Sequence, residues 1–231
     1  MHETRTLAQF VPQIQYTDLP LSLIDECKIA VLDTFGAGFV GALQPWAQRV
    51  VKLVRALGGT PEASVMHQAW QTDISRAALA NGTLIGAFEC EPLTGSHASG
   101  TVFPAALAVG QREHCDGKAF LTALAVGFEV SARIARTAVG LESVRGFHNP
   151  GTQGPFGVAV TVRLLDRHGT RPTAVRVAEL LMEQFNANPL QTPSVTDIER
   201  SAESVACTLR NYMNDWGYTF DDLIRLARTG P

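Results

Sequence analysis

Cysteine is scarce and scattered. Cys27, Cys90, Cys115 and Cys207 form no CxxC pair, which argues against a disulfide framework and fits reduced thiols in the cytoplasm. Clustered metal ligands are missing too, so no metal and no cofactor is expected. Long apolar runs are absent. The longest, from Ala119 to Val130, is interrupted by Thr122 and Glu129, too short and too polar to cross a bilayer. The opening MHETRTLAQF lacks the basic-then-apolar build of a secretion signal. Basic excess is lacking as well: 19 Lys and Arg stand against 22 Asp and Glu, which gives nucleic acid no electrostatic hold. There is no GxGxxG after a strand and no phosphate-loop motif. What remains is a globular chain of 231 residues, long enough for one large or two small domains.

Almost every periodic stretch is helical. Leu7 to Gln15 reads as a short helix and Tyr16–Pro20 as a turn. A helix runs from Leu21 to about Leu43, with Gly36 and Gly38 inside it. Each glycine costs about 1 kcal/mol relative to alanine, so both are expected where a neighbouring helix packs close. Pro45–Leu57 is a second helix, stopped by Gly58-Gly59. Pro61–Met66 is the best extended candidate. Asp73 is placed to cap a helix to about Phe88. Lys118–Ala138 is the longest helix, apolar nearly all round and therefore central. Phe156–Leu165 follows. Thr196 with Glu199 has the spacing of a capping box, and Phe220, Leu223 and Leu226 mark one face of a last helix. The fold class is all-α, a multi-helix bundle.

Chemistry concentrates between Ala78 and Val109. Two apolar helical patterns flank an acidic turn with Glu89 and Glu91, then a loop of small residues carrying His97. Polar groups between apolar helices are costly unless paired or used. Ser99, Gly100 and Thr101 open the second helix. Its unpaired N–H groups and positive dipole end suit a carboxylate or phosphate, and a histidine beside them suits proton transfer. The same residues also read as a surface loop with a solvated histidine. The device recurs in RGFHNPGTQG, where His148 precedes Thr152 and another Ala/Val-rich helix. Cys90 reads as small packing. His67, His114 and His168 read as solvated, and Trp46, Trp70 and Trp216 as core or interface. Nothing in the spacing of Glu89, Glu91, His97 and His114 forces them together as metal ligands.

Seven blocks in order resemble the MmgE/PrpD family, which includes 2-methylcitrate dehydratase, cis-aconitate decarboxylase and iminodisuccinate epimerase. They are Tyr16–Pro20, Val31–Gly36, Gly58–Ala63, Ala77–Gly82, His97–Gly100, Phe103–Ala108 and Gly146–His148. The resemblance covers about Leu7 to Asp166. It implies the helical domain of that family, active in the cytoplasm, commonly as a homodimer, on di- or tricarboxylates and without a required metal. It implies catalytic roles for His97 and His148, with Glu89 or Glu91 where the family has aspartates and Ala87 at the leading acid position. Ser99, Gly100, Thr101 and Thr152 are the expected substrate-binding residues. Ala98 stands where the family has proline. After Asp166 the family's lysine-bearing segment and α+β second domain are not recognisable, so the chain reads as truncated. The expected domains are a helical domain over 1–168 and a divergent helical segment over 169–231, packed on the first.

The function this implies is a lyase, a dehydratase or decarboxylase acting on a carboxylate such as 2-methylcitrate or cis-aconitate by histidine-assisted proton transfer. The alternative is a non-catalytic helical homologue that retains dimerisation or anion binding only. No nucleic-acid or membrane partner is expected.

Overall fold

A computed structural model of the chain describes residues 10–92, 97–137 and 148–166. They belong to one compact unit, Met1–Pro189; the second, Leu190–Pro231, lies outside the described residues, as do the expected boundary at 168, His168, Trp216 and every helix expected beyond Asp166. The described residues hold six α-helices and one small antiparallel ribbon. In chain order they are α1 Leu21–Gly41, α2 Pro45–Leu57, β1 Ala63–Ser64, β2 Gln71–Thr72, α3 Ile74–Ile85, α4 Ala98–Arg112, α5 Gly117–Thr137 and α6 Asn149–Leu165. Two short 3₁₀ turns, Val11–Gln13 and Tyr16–Asp18, precede α1.

Local chemistry sets the boundaries. The Asp73 side chain accepts the Arg76 N–H at 3.1 Å and caps α3. Asp116 does the same for α5 through Ala119 N–H at 2.8 Å. Gly58, at φ 68°, ends α2 in a conformation that glycine adopts without strain. The extended stretch expected over Pro61–Met66 is reduced to two residues, Ala63 pairing Thr72 and Ser64 pairing Gln71. Buried Asn81 replaces further ladder bonds there. Its Oδ1 accepts Met66 N–H at 2.8 Å, and its Nδ2 donates to Ser64 O at 3.0 Å. The last helix among the described residues begins at Asn149, seven residues before the expected Phe156, with Pro150 in its first turn, a position where a missing N–H costs nothing.

The core forms where α4, α5 and α6 meet. Phe103 of α4 is fully buried and meets Phe35 and Phe120 edge-on, at centroid distances of 5.2 and 6.1 Å. Burying one such side chain stabilises the fold by roughly 1.5–3 kcal/mol. Helices α5 and α6 cross at glycine. A Cβ built on Gly157 would stand 2.6 Å from Gly127 O and 2.7 Å from Val102 Cγ2. Thr161 Oγ1 uses the close approach to donate to Ala123 O at 3.1 Å. Of the two glycines expected at helix contacts in α1, Gly38 is one: its Cβ would meet Met66 Sδ at 2.5 Å. Gly36 is not, since a Cβ there would meet nothing within 4 Å; it faces away from the bundle. Gly41, which packs on the Leu84 carbonyl, is the second contact.

One directional fact positions the site. Thr101 near the start of α4 lies against Gly154 in α6. At the other end, Arg112 Nη2 of α4 reaches Asp166 Oδ1, just past α6, at 3.4 Å. The two helices therefore run parallel. Contacts of Gly157 with Ser131 and of Thr161 with Ala123 make α5 antiparallel to α6.

Candidate active site at the histidine-capped helix ends

His97 and His148 are the N-cap residues of α4 and α6. Because those helices are packed and parallel, both histidines stand at the same end of the bundle. Two positive helix ends meet there. The C-terminal turns of α5 share this end and bring Arg133 and Arg136, both largely exposed and both paired with Glu129.

His97 does not cap α4 through its side chain. Its ring turns back instead, and Nδ1 lies 2.9 Å from Glu91 Oε1. The Glu91 side chain is only 2% exposed, the imidazole 26%. A buried carboxylate is costly unless compensated. Two compensations are visible: the His97 ring, and the first turn of α4. A Cβ built on Gly100 would lie 3.3 Å from Glu91 Oε1, so the carboxylate rests against the positive helix end. Such placement contributes about 0.3–1 kcal/mol, up to about 2 when partly buried. The second oxygen, Glu91 Oε2, is buried and has no hydrogen-bond partner among the described residues.

The arrangement fixes chemistry at one atom. A carboxylate on Nδ1 holds the N–H there and leaves Nε2 as the ring nitrogen available to give or take a proton. Glu89 stands apart. It is exposed, in a left-handed turn at φ 54°, and does not reach His97. Cys90 is exposed, its Sγ 3.3 Å from Phe88 O.

The other expected residues fall around the same end. Ser99 is fully buried and donates to Pro92 O at 3.0 Å, which ties the acidic turn to α4. Thr101 Oγ1 lies 3.3 Å from Ala98 O, in reach to donate back into its own helix. Gly100 lets Glu91 approach. His148 is exposed; Thr152 is half-buried in the second turn of α6. His67 and His114 are exposed and lie in left-handed turns. Trp46 donates to Ala87 O at 3.3 Å and joins the core, as does Trp70. Among the described residues no group of three or more His, Cys, Asp or Glu is placed to hold a metal ion, and no helix is long and apolar enough to cross a membrane.

Two of the cavities lined by described residues flank the bundle. The larger, about 720 Å³, lies at the opposite end, lined by Arg112, His114, Cys115 and Phe120. Its charged Arg112 is already engaged by Glu113 and Asp166, so size does not mark the chemistry here. The smaller, about 460 Å³, lies between α1 and α5 and is bounded by Pro92, next to Glu91. The parallel α4–α6 pairing was the feature sequence reasoning missed. Its signal was present: Gly154 and Gly157, three residues apart in α6, permit the close packing that aligns both histidines.

The MmgE/PrpD N-terminal domain matches residues 5–171 of the chain. A cis-aconitate decarboxylase-like protein of Aspergillus oryzae is 26% identical over 174 residues, covering 70% of this chain and 36% of its own length. The cis-aconitate decarboxylase of Aspergillus terreus is 24% identical over 172 residues, covering 70% and 35%. The chain thus spans about a third of the length of the curated relatives it matches.

Proposed function

The chain belongs to the MmgE/PrpD family, and on that premise we propose that it acts as a lyase on a di- or tricarboxylate such as cis-aconitate or 2-methylcitrate. The observation that carries this reading is the buried Glu91 carboxylate on His97 Nδ1, 2.9 Å away, at a bundle end shared with His148. Supporting it, relatives matched over 70% of the chain are named for cis-aconitate decarboxylation.

The chemistry follows from the geometry. Carbon–hydrogen bonds next to a carboxylate are weak acids and need a placed base. In a dehydration, His97 Nε2 takes that proton, Glu91 stabilises the imidazolium that forms, and His148 protonates the leaving hydroxyl. In a decarboxylation, His97 delivers a proton to the carbon that carbon dioxide leaves. The positive N-terminal end of the α6 dipole, with Thr152 beside it, is the seat for a substrate carboxylate in this reading. The cytoplasm and a homodimer complete the reading.

The test is turnover. Purified protein is assayed for carbon dioxide release from cis-aconitate and for water loss from 2-methylcitrate and citrate. Activity lost in His97→Gln supports the lyase; no turnover on any carboxylate rejects it. One observation favours a second reading, a non-catalytic homologue: the first turn of α4 already holds the chain's own carboxylate. Carboxylate binding without turnover identifies that case.

A further inference from the structure

The cavity of about 720 Å³ at the far end of the bundle takes no part in the chemistry at His97. Its volume falls within the range of roughly 300–1,000 Å³ that small-molecule sites occupy. It opens where the end of α4, the start of α5 and the loop before β1 meet. Phe35, Leu107, Phe120 and Pro61 give it apolar walls. Phe35 and Phe120 are half-buried and stand at right angles to the buried Phe103 ring, so the core fixes both rings in place. Two acids, Glu62 and Asp116, also line it. Each is pinned by a helix N–H: Glu62 Oε2 accepts Ile74 N–H at 3.2 Å, and Asp116 Oδ1 accepts Ala119 N–H at 2.8 Å. Neither forms an ion pair among the described residues. The neighbouring cations are committed elsewhere. Arg112 Nε pairs with Glu113 at 2.7 Å and its Nη2 with Asp166 at 3.4 Å. Arg76 pairs with Asp73. Lys118 lies over the Tyr16 ring, 5.5 Å from its centre. His114 stands exposed at the rim, where solvent screens it.

We propose that this cavity binds a small organic ammonium ion, its apolar or aryl body against Phe35 and Phe120 and its charge on Glu62 and Asp116. Charge decides the class. An anion would meet two carboxylates, and the one guanidinium in the lining is already paired. A neutral guest would leave both carboxylates unanswered. A hard metal ion needs six or so oxygen ligands, and apolar walls supply none; among the described residues no group of three or more His, Cys, Asp or Glu is placed to hold a metal ion. An ammonium ion uses both features of the lining. Its N–H groups make charge-assisted hydrogen bonds to carboxylates, and its positive charge is attracted to phenyl rings within about 6 Å. The carboxylates are held ready by the N-termini of α3 and α5, so binding does not have to order them first.

The inference goes beyond the lyase reading and does not rest on it, since the cavity and His97 are at opposite ends of the bundle. The experiment is calorimetric titration of the full chain with three ligands of one body and different charge: phenethylammonium, phenethyl alcohol and phenylacetate. It is repeated on Glu62→Gln and Asp116→Asn, which keep an oxygen for the helix N–H and remove the charge. The expected result is binding of phenethylammonium, with the alcohol weaker by about tenfold, the low end for a hydrogen bond to a charged group. Each variant is expected to weaken the ammonium ion by a similar factor and to leave the alcohol unchanged. Millimolar cis-aconitate is expected not to displace the ammonium ion. No binding of phenethylammonium, or equal binding of the alcohol, overturns the proposal. Ammonium binding unchanged in both variants places the cation elsewhere and overturns it too. Should one variant fail to fold, the other variant and the three-ligand series decide.

Discussion

At the scale of the residue, two carboxylates show how burial assigns roles. Glu91 and Glu89 are two positions apart, yet only Glu91 is carried inside to His97, because the left-handed turn at Glu89 points the next-but-one residue inward. Replacing Glu91 by Gln keeps the shape and removes the charge. The expected outcome is a loss of turnover on the order of 10²–10⁴-fold, the range for losing placed acid–base assistance, measured as kcat beside an unchanged fold. A third carboxylate acts on stability. Burial alone would raise the Asp73 carboxyl, but the side-chain and backbone hydrogen bonds and the charge of Arg76 outweigh it and leave it below the usual value. A depressed acid stabilises the fold above its unfolded pKa, near 3.9, and loses that contribution as pH falls through the folded value. Asp73→Asn is therefore expected to lower Tm at neutral pH and to flatten the acid limb of a Tm-against-pH curve below about pH 4. An unchanged acid limb contradicts the linkage.

At the scale of the element, glycine sets the spacing. A Cβ on Gly127 would collide with Thr161 and approach Val102 Cγ1 to 2.7 Å. Gly127→Ala is expected to cost roughly 1–3 kcal/mol through overpacking, whereas Gly117→Ala, with open space around it, is expected to be close to neutral. Thermal melts of the pair check this. Asn81→Leu removes both partners of the loop before β2 and is expected to cost about 2–3 kcal/mol through unpaired buried backbone groups. The helices themselves were legible in the sequence, since apolar periodicity and caps such as Asp73 are local signals. The helix from Asn149 was read seven residues short, because Gly151, Gly154 and Pro155 mimic a loop; tertiary packing against Thr101 and Val102 overrides their weak propensity. The outward turn of Gly36 was not legible either, because periodicity does not say which of two apolar faces is the inner one.

At the scale of the whole molecule, the parallel packing of α4 and α6 sets His97 and His148 at the same end of the bundle. The sequence contained both histidine-bearing loops and their family blocks, but not the parallel packing that brings them to one end, since that depends on contacts between residues about fifty apart. Nor did it separate Glu89 from Glu91, which differ only in backbone geometry. The central claim is that this end binds a carboxylate through His97 held by Glu91. The most direct measurement is a melting curve with and without millimolar cis-aconitate, on the unmodified chain, His97→Gln and Glu91→Gln. Ligand at about a hundred times its Kd stabilises by about 2.7 kcal/mol, a rise of roughly 5–10 °C for a chain this size. The account predicts that rise in the unmodified chain and its loss in both variants. No rise, or an equal rise in all three proteins, contradicts it.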